Sequence, residues 1–470
     1  MPTSDEIAGI IPGDGSQKVD NRDIVLRLRD GSLNRIHEGN AAYSPLHYVL
    51  LFPHGEPGWH WNIPLHNSDE DDHTPDAEND DQASENEKSH STVTQARYYA
   101  YRIHMRENET SLLLRGGRLF QQYVVDAWAQ IDQCRLNWLR FNQKKLRADV
   151  YNGLTDALAA GDITLNEVGQ RFILPSSYIG GPRNMYQLFQ DSMAICRRYI
   201  KPQWFITATA NAKWSEIQRE LLPGQKPEDR PDLIACVFGL KMKGLREDLL
   251  KKGYMGKAVA HVYSIEFQKR GLPHMHLLLF THPDNHVKEP ADVDKYISAE
   301  IPDKDEDPEL WETVTTCMLH GPCGLTHPKA PCMVDGKCSK GYPKPFQETT
   351  TMDKNGYPLY CCRNNGCKVE KSGVQLDNQW VVPHNCGITC KNHCHINTEC
   401  CVSIQSVKYI HKYVYKGPDR ATLEIGDKHN VDEISQYIDA RWIGSSEAVW
   451  RILLNHMHEE SPPVCRLQVG

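Results

Sequence analysis

The sequence predicts an α+β fold: an antiparallel sheet with helices on one face, an N-terminal helical subdomain and a cysteine-rich insertion. Three observations carry this. Strand-like runs alternate with amphipathic helical stretches between residues 172 and 282 and close in a hairpin, which suits an antiparallel sheet. Residues 92 to 160 place apolar side chains at threes and fours, the period of packed helices. Twelve of the sixteen cysteines lie between positions 317 and 401, an abrupt change of composition.

Length and charge set the bounds. At 470 residues and 40% apolar content the chain has room for about three domains of ~150 residues. No apolar run approaches the ~20 residues of a membrane span, and the opening Met-Pro-Thr-Ser-Asp-Glu is no signal peptide, so a soluble intracellular protein is expected. The net charge of -8 argues at first against nucleic acid, but much of the acid sits in one run from Asp69 to Glu87 with little to bury. Basic residues cluster elsewhere, at 140–147, at 241–252 and around Tyr409 and Tyr413, and phosphate binding follows local patches.

In order, residues 1–65 form an N-terminal segment with a short strand at Ile24 to Leu28, and 66–91 an acidic, disordered linker. Residues 92–171 form the helical subdomain, where Phe120, Tyr123, Val124, Ala127 and Trp128 make one stripe. Residues 172–300 form the α/β unit: a helix from Met185 to Arg198, a strand from Trp204 to Thr209, helices at 214–222 and 233–251, then the hairpin. Residues 301–400 are the cysteine-rich insertion. Residues 401–470 hold a tyrosine helix and further C-terminal helices.

The hairpin holds the first candidate site. In Gly271-Leu-Pro-His-Met-His-Leu-Leu-Leu-Phe280 two histidines flank one residue at the start of a buried strand, so His274 and His276 point the same way. Two imidazoles so placed can share a divalent cation. The preceding strand, 262–268, is expected to pair Gln268 with His274 and Glu266 with His276, putting an oxygen ligand beside the rings. The bland alternative is a pair of core histidines bonded to backbone carbonyls.

Far downstream, Lys408-Tyr-Ile-His-Lys-Tyr-Val-Tyr-Lys-Gly417 repeats Tyr-x-x-Lys, as Tyr409 with Lys412 and Tyr413 with Lys416. On a helix the two phenols lie one turn apart on one face. A phenol with a pKa near ~10 needs a nearby cation or base to attack a phosphodiester, and a metal with a lysine supplies that help.

Together these two stretches resemble the replication-initiator part of Helitron rolling-circle transposases, members of the His-hydrophobe-His (HUH) endonuclease superfamily. Further similar segments run in the family's order: 117–123, 189–196, 205–214, 376–383 and 461–464. The resemblance implies nicking and joining of single-stranded DNA at transposon ends, through a 5′-phosphotyrosine on Tyr409 or Tyr413 and with Mg2+ or Mn2+ held by His274, His276 and Glu266 or Gln268. It implies DNA contacts from Thr207, Thr209, Asn211 and Lys213, although Ala210 and Ala212 stand where the family has Cys and Pro. Arg363, Asn364 and Asn365, in another related segment, are candidate phosphate or base contacts. It also implies a nuclear location. Relatives continue into a helicase, whereas no Gly-x4-Gly-Lys-Ser/Thr loop occurs here, so no ATP hydrolysis is expected.

The cysteines divide in two. His320-x2-Cys323-x8-Cys332-x5-Cys338 offers four soft ligands in two spaced groups with glycines to make the turns, a pattern that suits tetrahedral zinc, with Cys317 an alternative to His320. The later group, from 361 onward, stands where the related segment is Arg-rich, and one base transition separates Arg from Cys codons. Two rivals to the nicking activity follow: a binding relic that no longer cuts, and a metal nuclease that uses water.

Overall fold

The computed structural model describes residues 8–9, 22–65, 92–107, 109–143, 172–267, 271–354, 357–401, 433–434, 437 and 443–465. Tyr409, Lys412, Tyr413, Lys416, Gln268 and the acidic linker lie outside the described residues. The chain divides into two compact units.

The first unit gathers residues 1–137, 228–232 and 448–454. A small antiparallel ribbon pairs Ile24–Arg27 (β1) with Leu33–Ile36 (β2), and Ala8–Gly9 adds to its other edge. After a short helical turn at Tyr43–His47 come the longer helices Gln95–Ile103 (α1) and Arg118–Phe141 (α2), the latter in this unit as far as residue 137. Thr94 starts α1 by accepting a hydrogen bond from the Arg97 amide at 3.3 Å, satisfying one of the free N–H groups of a first turn. The predicted stripe of Phe120, Tyr123, Val124, Ala127 and Trp128 is buried against Tyr99 and Phe52. Tyr99 donates to Gln130 at 2.5 Å, and Asp126 accepts from both Arg22 and Tyr48.

The second unit gathers 138–227, 233–447 and 455–470. Its centre is a five-stranded antiparallel sheet built from Trp204–Thr209 (β3), Ala258–Phe267 (β4), Pro273–Thr281 (β5), Ile396–Cys400 (β6) and His458–Ser461 (β7), in the order β6-β3-β5-β4-β7. The histidine strand β5 is therefore central, and Leu277, Leu278, Leu279 and Phe280 are all buried. A strand covered on both sides reads as a continuous apolar run, which is why alternation is lost after His276.

The two sheet faces are distinct. On one, the helix Pro182–Tyr199 (α3) packs Leu188, Phe189, Ile195, Cys196 and Tyr199 against Phe205, Ala260, Val262, Leu278 and Phe280. On the other, the helix Pro231–Leu250 (α4) brings Arg246 to Tyr263 at 3.0 Å and to Glu459 at 2.6 Å. Helices thus meet both faces, not the single face expected; the apolar run of β5 needs cover on each side. A second correction is at the edges. Ile396–Cys400, at the end of the stretch assigned to the insertion, and His458–Ser461, in a region assigned to helices, are both strands of this sheet.

The insertion has its own core, where the helix Pro308–Cys317 (α5) supplies Leu310 and Val314 to Ile301, Met318, Leu319, Leu376, Val381 and Val382. No helix among the described residues is long and apolar enough to cross a membrane.

Candidate functional site

The face of the sheet that α3 covers at one end turns polar at the other. Direct cross-strand partners share a face, so the registers define its rows. His274 pairs with Thr209 on β3 and with Glu266 on β4. His276 pairs with Thr207 and Ser264. The expected pairing of Glu266 with His276 is therefore displaced by two residues. An even shift leaves every side chain on its original face, and Glu266 Oε2 still reaches His276 Nε2 at 3.2 Å.

Both rings are steered from β3. Thr209 Oγ1 lies 2.8 Å from His274 Nδ1, and Thr207 Oγ1 lies 3.1 Å from His276 Nδ1. A hydroxyl serves either imidazole tautomer, and with Nδ1 so engaged Nε2 is the nitrogen turned to the site. The His274 Nε2 atom is buried and has no hydrogen-bond partner. Burial, with the neighbouring His276 second, pulls the His274 pKa down to about 4. The ring is neutral at pH 7, and its lone pair is available to a cation. The two rings stack at 6.5 Å between centroids with 13° between planes. Of the described residues, only the cysteine-rich group below has three or more ligand atoms all within 4.8 Å, so the histidine set is more open than a closed metal site.

That group is His320, Cys323, Cys332 and Cys338. Cys338 Sγ is 3.5 Å from His320 Nε2. Tetrahedral zinc with bonds of ~2.3 Å to sulfur separates its ligand atoms by about 3.8 Å, so the four fit that ion's donor set and size. Local geometry delivers the ligands. Met333–Val334 pairs with Lys337–Cys338 across Asp335 and Gly336, both at positive φ, and this tight turn presents Cys332 and Cys338 together. Tyr342 stacks on His320 at 4.2 Å, and the His320 amide donates to Trp380 O at 2.8 Å. Burial holds the His320 pKa low, keeping the imidazole neutral. Burial opposes ionisation of Cys338, but amide contacts from Tyr342 and Lys340 leave its pKa lowered.

The remaining sequence candidates fall into different settings. Asn211 is spent locally: its Nδ2 donates to His393 O at 2.7 Å and its Oδ1 accepts from the Lys213 amide at 2.9 Å. Lys213 itself is exposed. Arg363 is engaged by Glu300, with Nε and Nη2 donating to the carboxylate at 2.9 and 2.5 Å. Asn364 is exposed, and Asn365 Oδ1 accepts from the Cys367 amide at 3.1 Å.

Sequence reasoning missed several residues of the polar face. His395 precedes β6, where its carbonyl accepts from the Thr209 amide at 2.9 Å and its Nδ1 lies 3.0 Å from Cys317 O. Asn397 on β6 pairs with Thr207, and His458 on β7 pairs with Ser264. The alternations His393-x-His395-x-Asn397-x-Glu399 and His458-x-Glu460 were the available signal.

Residues 98–279 match the model of a protein family described as the Helitron helicase-like domain at N-terminus. The match takes in β3, β4 and β5 as far as Leu279, and so Thr207, Thr209, Glu266, His274 and His276, and it ends before the cysteine-rich group. No curated protein matches the chain.

Proposed function

From the premise that this chain is a Helitron-related protein with a Helitron helicase-like N-terminal domain, we propose that it nicks and rejoins single-stranded DNA at the ends of a rolling-circle transposon, in the nucleus. The observation that carries the proposal is the paired imidazole arrangement on the central strand: each Nδ1 is bonded to a threonine, the His274 Nε2 is buried with no partner, and Glu266 lies alongside. Buried polar groups are nearly always satisfied, and an orphaned imidazole nitrogen beside a carboxylate fits a cation ligand.

His274, His276 and Glu266 would hold Mg2+ or Mn2+, with Gln268 as a further ligand candidate. Bound there, the ion polarises the scissile phosphate. Tyr409 or Tyr413 attacks phosphorus; the Oη–P bond forms as the P–O3′ bond breaks, leaving a 5′-phosphotyrosine and a 3′ end. Lys412 and Lys416 offset charge on the phosphate oxygens. Because the bond energy is kept in the phosphotyrosine, the reverse attack by a 3′-hydroxyl rejoins DNA. With two tyrosines, one holds the first end while the other cuts a second. Exposed Lys213 would meet the DNA backbone, and Thr207, Thr209, Asn211, Arg363, Asn364 and Asn365 are the further DNA-contact candidates. The knuckle of His320, Cys323, Cys332 and Cys338 holds structural Zn2+.

The test is incubation of the purified protein with Mn2+ and an end-labelled single-stranded oligonucleotide. Covalent adducts on denaturing gels that vanish in a Tyr409→Phe/Tyr413→Phe double variant are the expected result. Free nicks without adducts would identify a nuclease that uses water, and no product at all a binding relic.

A further inference from the structure

We infer that His458, with Ser264 beside it, is a further catalytic residue of the nicking reaction and protonates the departing 3′ oxygen; this rests on the proposed nicking function. The registers place Asn397, Thr207, His276, Ser264 and His458 in one row across the five strands, on the face that bears the metal-ligand candidates. Strands lie ~4.8 Å apart, so His458 stands about 10 Å from His276 at the backbone with only Ser264 between them. In the proposed reaction a phosphodiester held at His276 would turn its leaving oxygen toward His458.

Unsatisfied atoms mark the same row. Both ring nitrogens of His458 are buried without a hydrogen-bond partner, as are Ser264 Oγ and Asn397 Oδ1 in that row and His274 Nε2 in the next. A single orphan is an oddity of packing; five such atoms on one polar sheet face point to a ligand that supplies their partners. On the opposite face His261 and Tyr263 are both bonded to Glu459, and the orphaned side-chain atoms there are the hydroxyls of Thr281 and Thr398, not ring nitrogens. Glu460, two residues on and so on the same face as His458, brings its Oε2 to 3.6 Å from His458 Nε2. Backbone contacts fix the strand, for the Ile265 amide donates to Met457 O at 2.8 Å.

The step balances as follows. As the tyrosine oxygen bonds to phosphorus, its phenol proton passes to water. The electron pair of the breaking P–O3′ bond takes the proton of His458, giving a 3′-hydroxyl and a neutral imidazole, which regains a proton from water.

A leaving group that needs no proton isolates this role. The full chain and its His458→Ala and His458→Gln variants are assayed with Mn2+ on two matched oligonucleotides, one ordinary and one carrying sulfur in place of the bridging 3′ oxygen. Loss of a general acid slows the ordinary substrate by about 10²–10⁴-fold, and the sulfur substrate is cut by the variants within roughly threefold of the wild-type rate. Mn2+ affinity without DNA, read by electron paramagnetic resonance, stays unchanged in both variants. Equal slowing on both substrates, no slowing on either, or a parallel loss of Mn2+ affinity would overturn the assignment. A wild-type chain that forms no adduct with either oligonucleotide overturns the nicking function itself, and His458 as its acid with it.

Discussion

Removing one hydroxyl from β3 tests how the histidine face is held. Thr209→Val keeps the shape of the side chain and deletes the partner of His274 Nδ1, now 2.8 Å from Oγ1. Two consequences can be sized separately. The half-buried Nδ1 loses its partner, which costs about 1–3 kcal/mol of folding stability. The ring also loses its orientation, and a lost outer-shell partner of a metal-ligating histidine lowers ion affinity by about 10–100-fold, or roughly 1.4–2.8 kcal/mol. Thr207→Val acts in the same way on His276, through a bond of 3.1 Å. In the proposed site both rings would serve one ion, so the double variant is expected to lose less than the sum of the two. The assay is a Mn2+ titration of the purified protein followed by electron paramagnetic resonance, with Thr209→Ser as the control that restores the hydroxyl. A Thr209→Val protein that is folded by circular dichroism and binds Mn2+ as tightly as wild type would refute the reasoning.

Four other outcomes are expected. Elemental analysis should find about one zinc per chain, and Cys332→Ser should lose it together with hydrogen-exchange protection in 320–344, because three thiolates and one imidazole form the donor set. Glu459 should carry an acid-dependent share of stability. The hydrogen bond from His261, then Arg246 and Tyr263, hold its pKa at about 2 against an ordinary 4.5, so the contribution is complete above pH 4.5 and is lost as pH falls through about 2. Chemical unfolding from pH 6 to pH 2 should therefore be less pH-dependent in Glu459→Gln. Leu277→Ala, at a fully buried position of the central strand, should cost about 2–5 kcal/mol in denaturant unfolding. Lys213→Ala should weaken single-stranded DNA binding and reduce the slope of log K against log salt by about 0.7, whereas a slope equal to wild type would remove Lys213 from the interface.

What the sequence disclosed and what it concealed have physical causes. The strand Trp204–Thr209 and the helix over 231–250 could be read because composition and period agree there with burial. The histidine strand was legible from its turn residues and apolar run. Its register was not: an even slip preserves the sidedness that alternation encodes, so Glu266 was assigned two places away from its counterpart. The knuckle spacing was readable because residues 335 and 336 make the turn that brings Cys332 and Cys338 together. The edge strands escaped notice because His458-Glu-Glu-Ser and Ile396-Asn-Thr-Glu-Cys have mixed polarity and take their strand character from β4 and β3. With them went His395 and His458, which complete the polar face.

The discontinuous make-up of the first unit has a bearing on synthesis. Its share from 448 to 454 includes the buried Ala448, Val449, Trp450 and Ile452, and Arg451 lies over the Trp128 ring of α2 at 5.6 Å. A ribosome that has just released Asn137 must still add roughly three hundred residues before these side chains emerge, so the usual course in which an amino-terminal body is finished first is closed to this chain. Until then the Trp128 ring of α2 awaits Arg451, and expression pieces that stop short of residue 454 inherit that unfinished state for good.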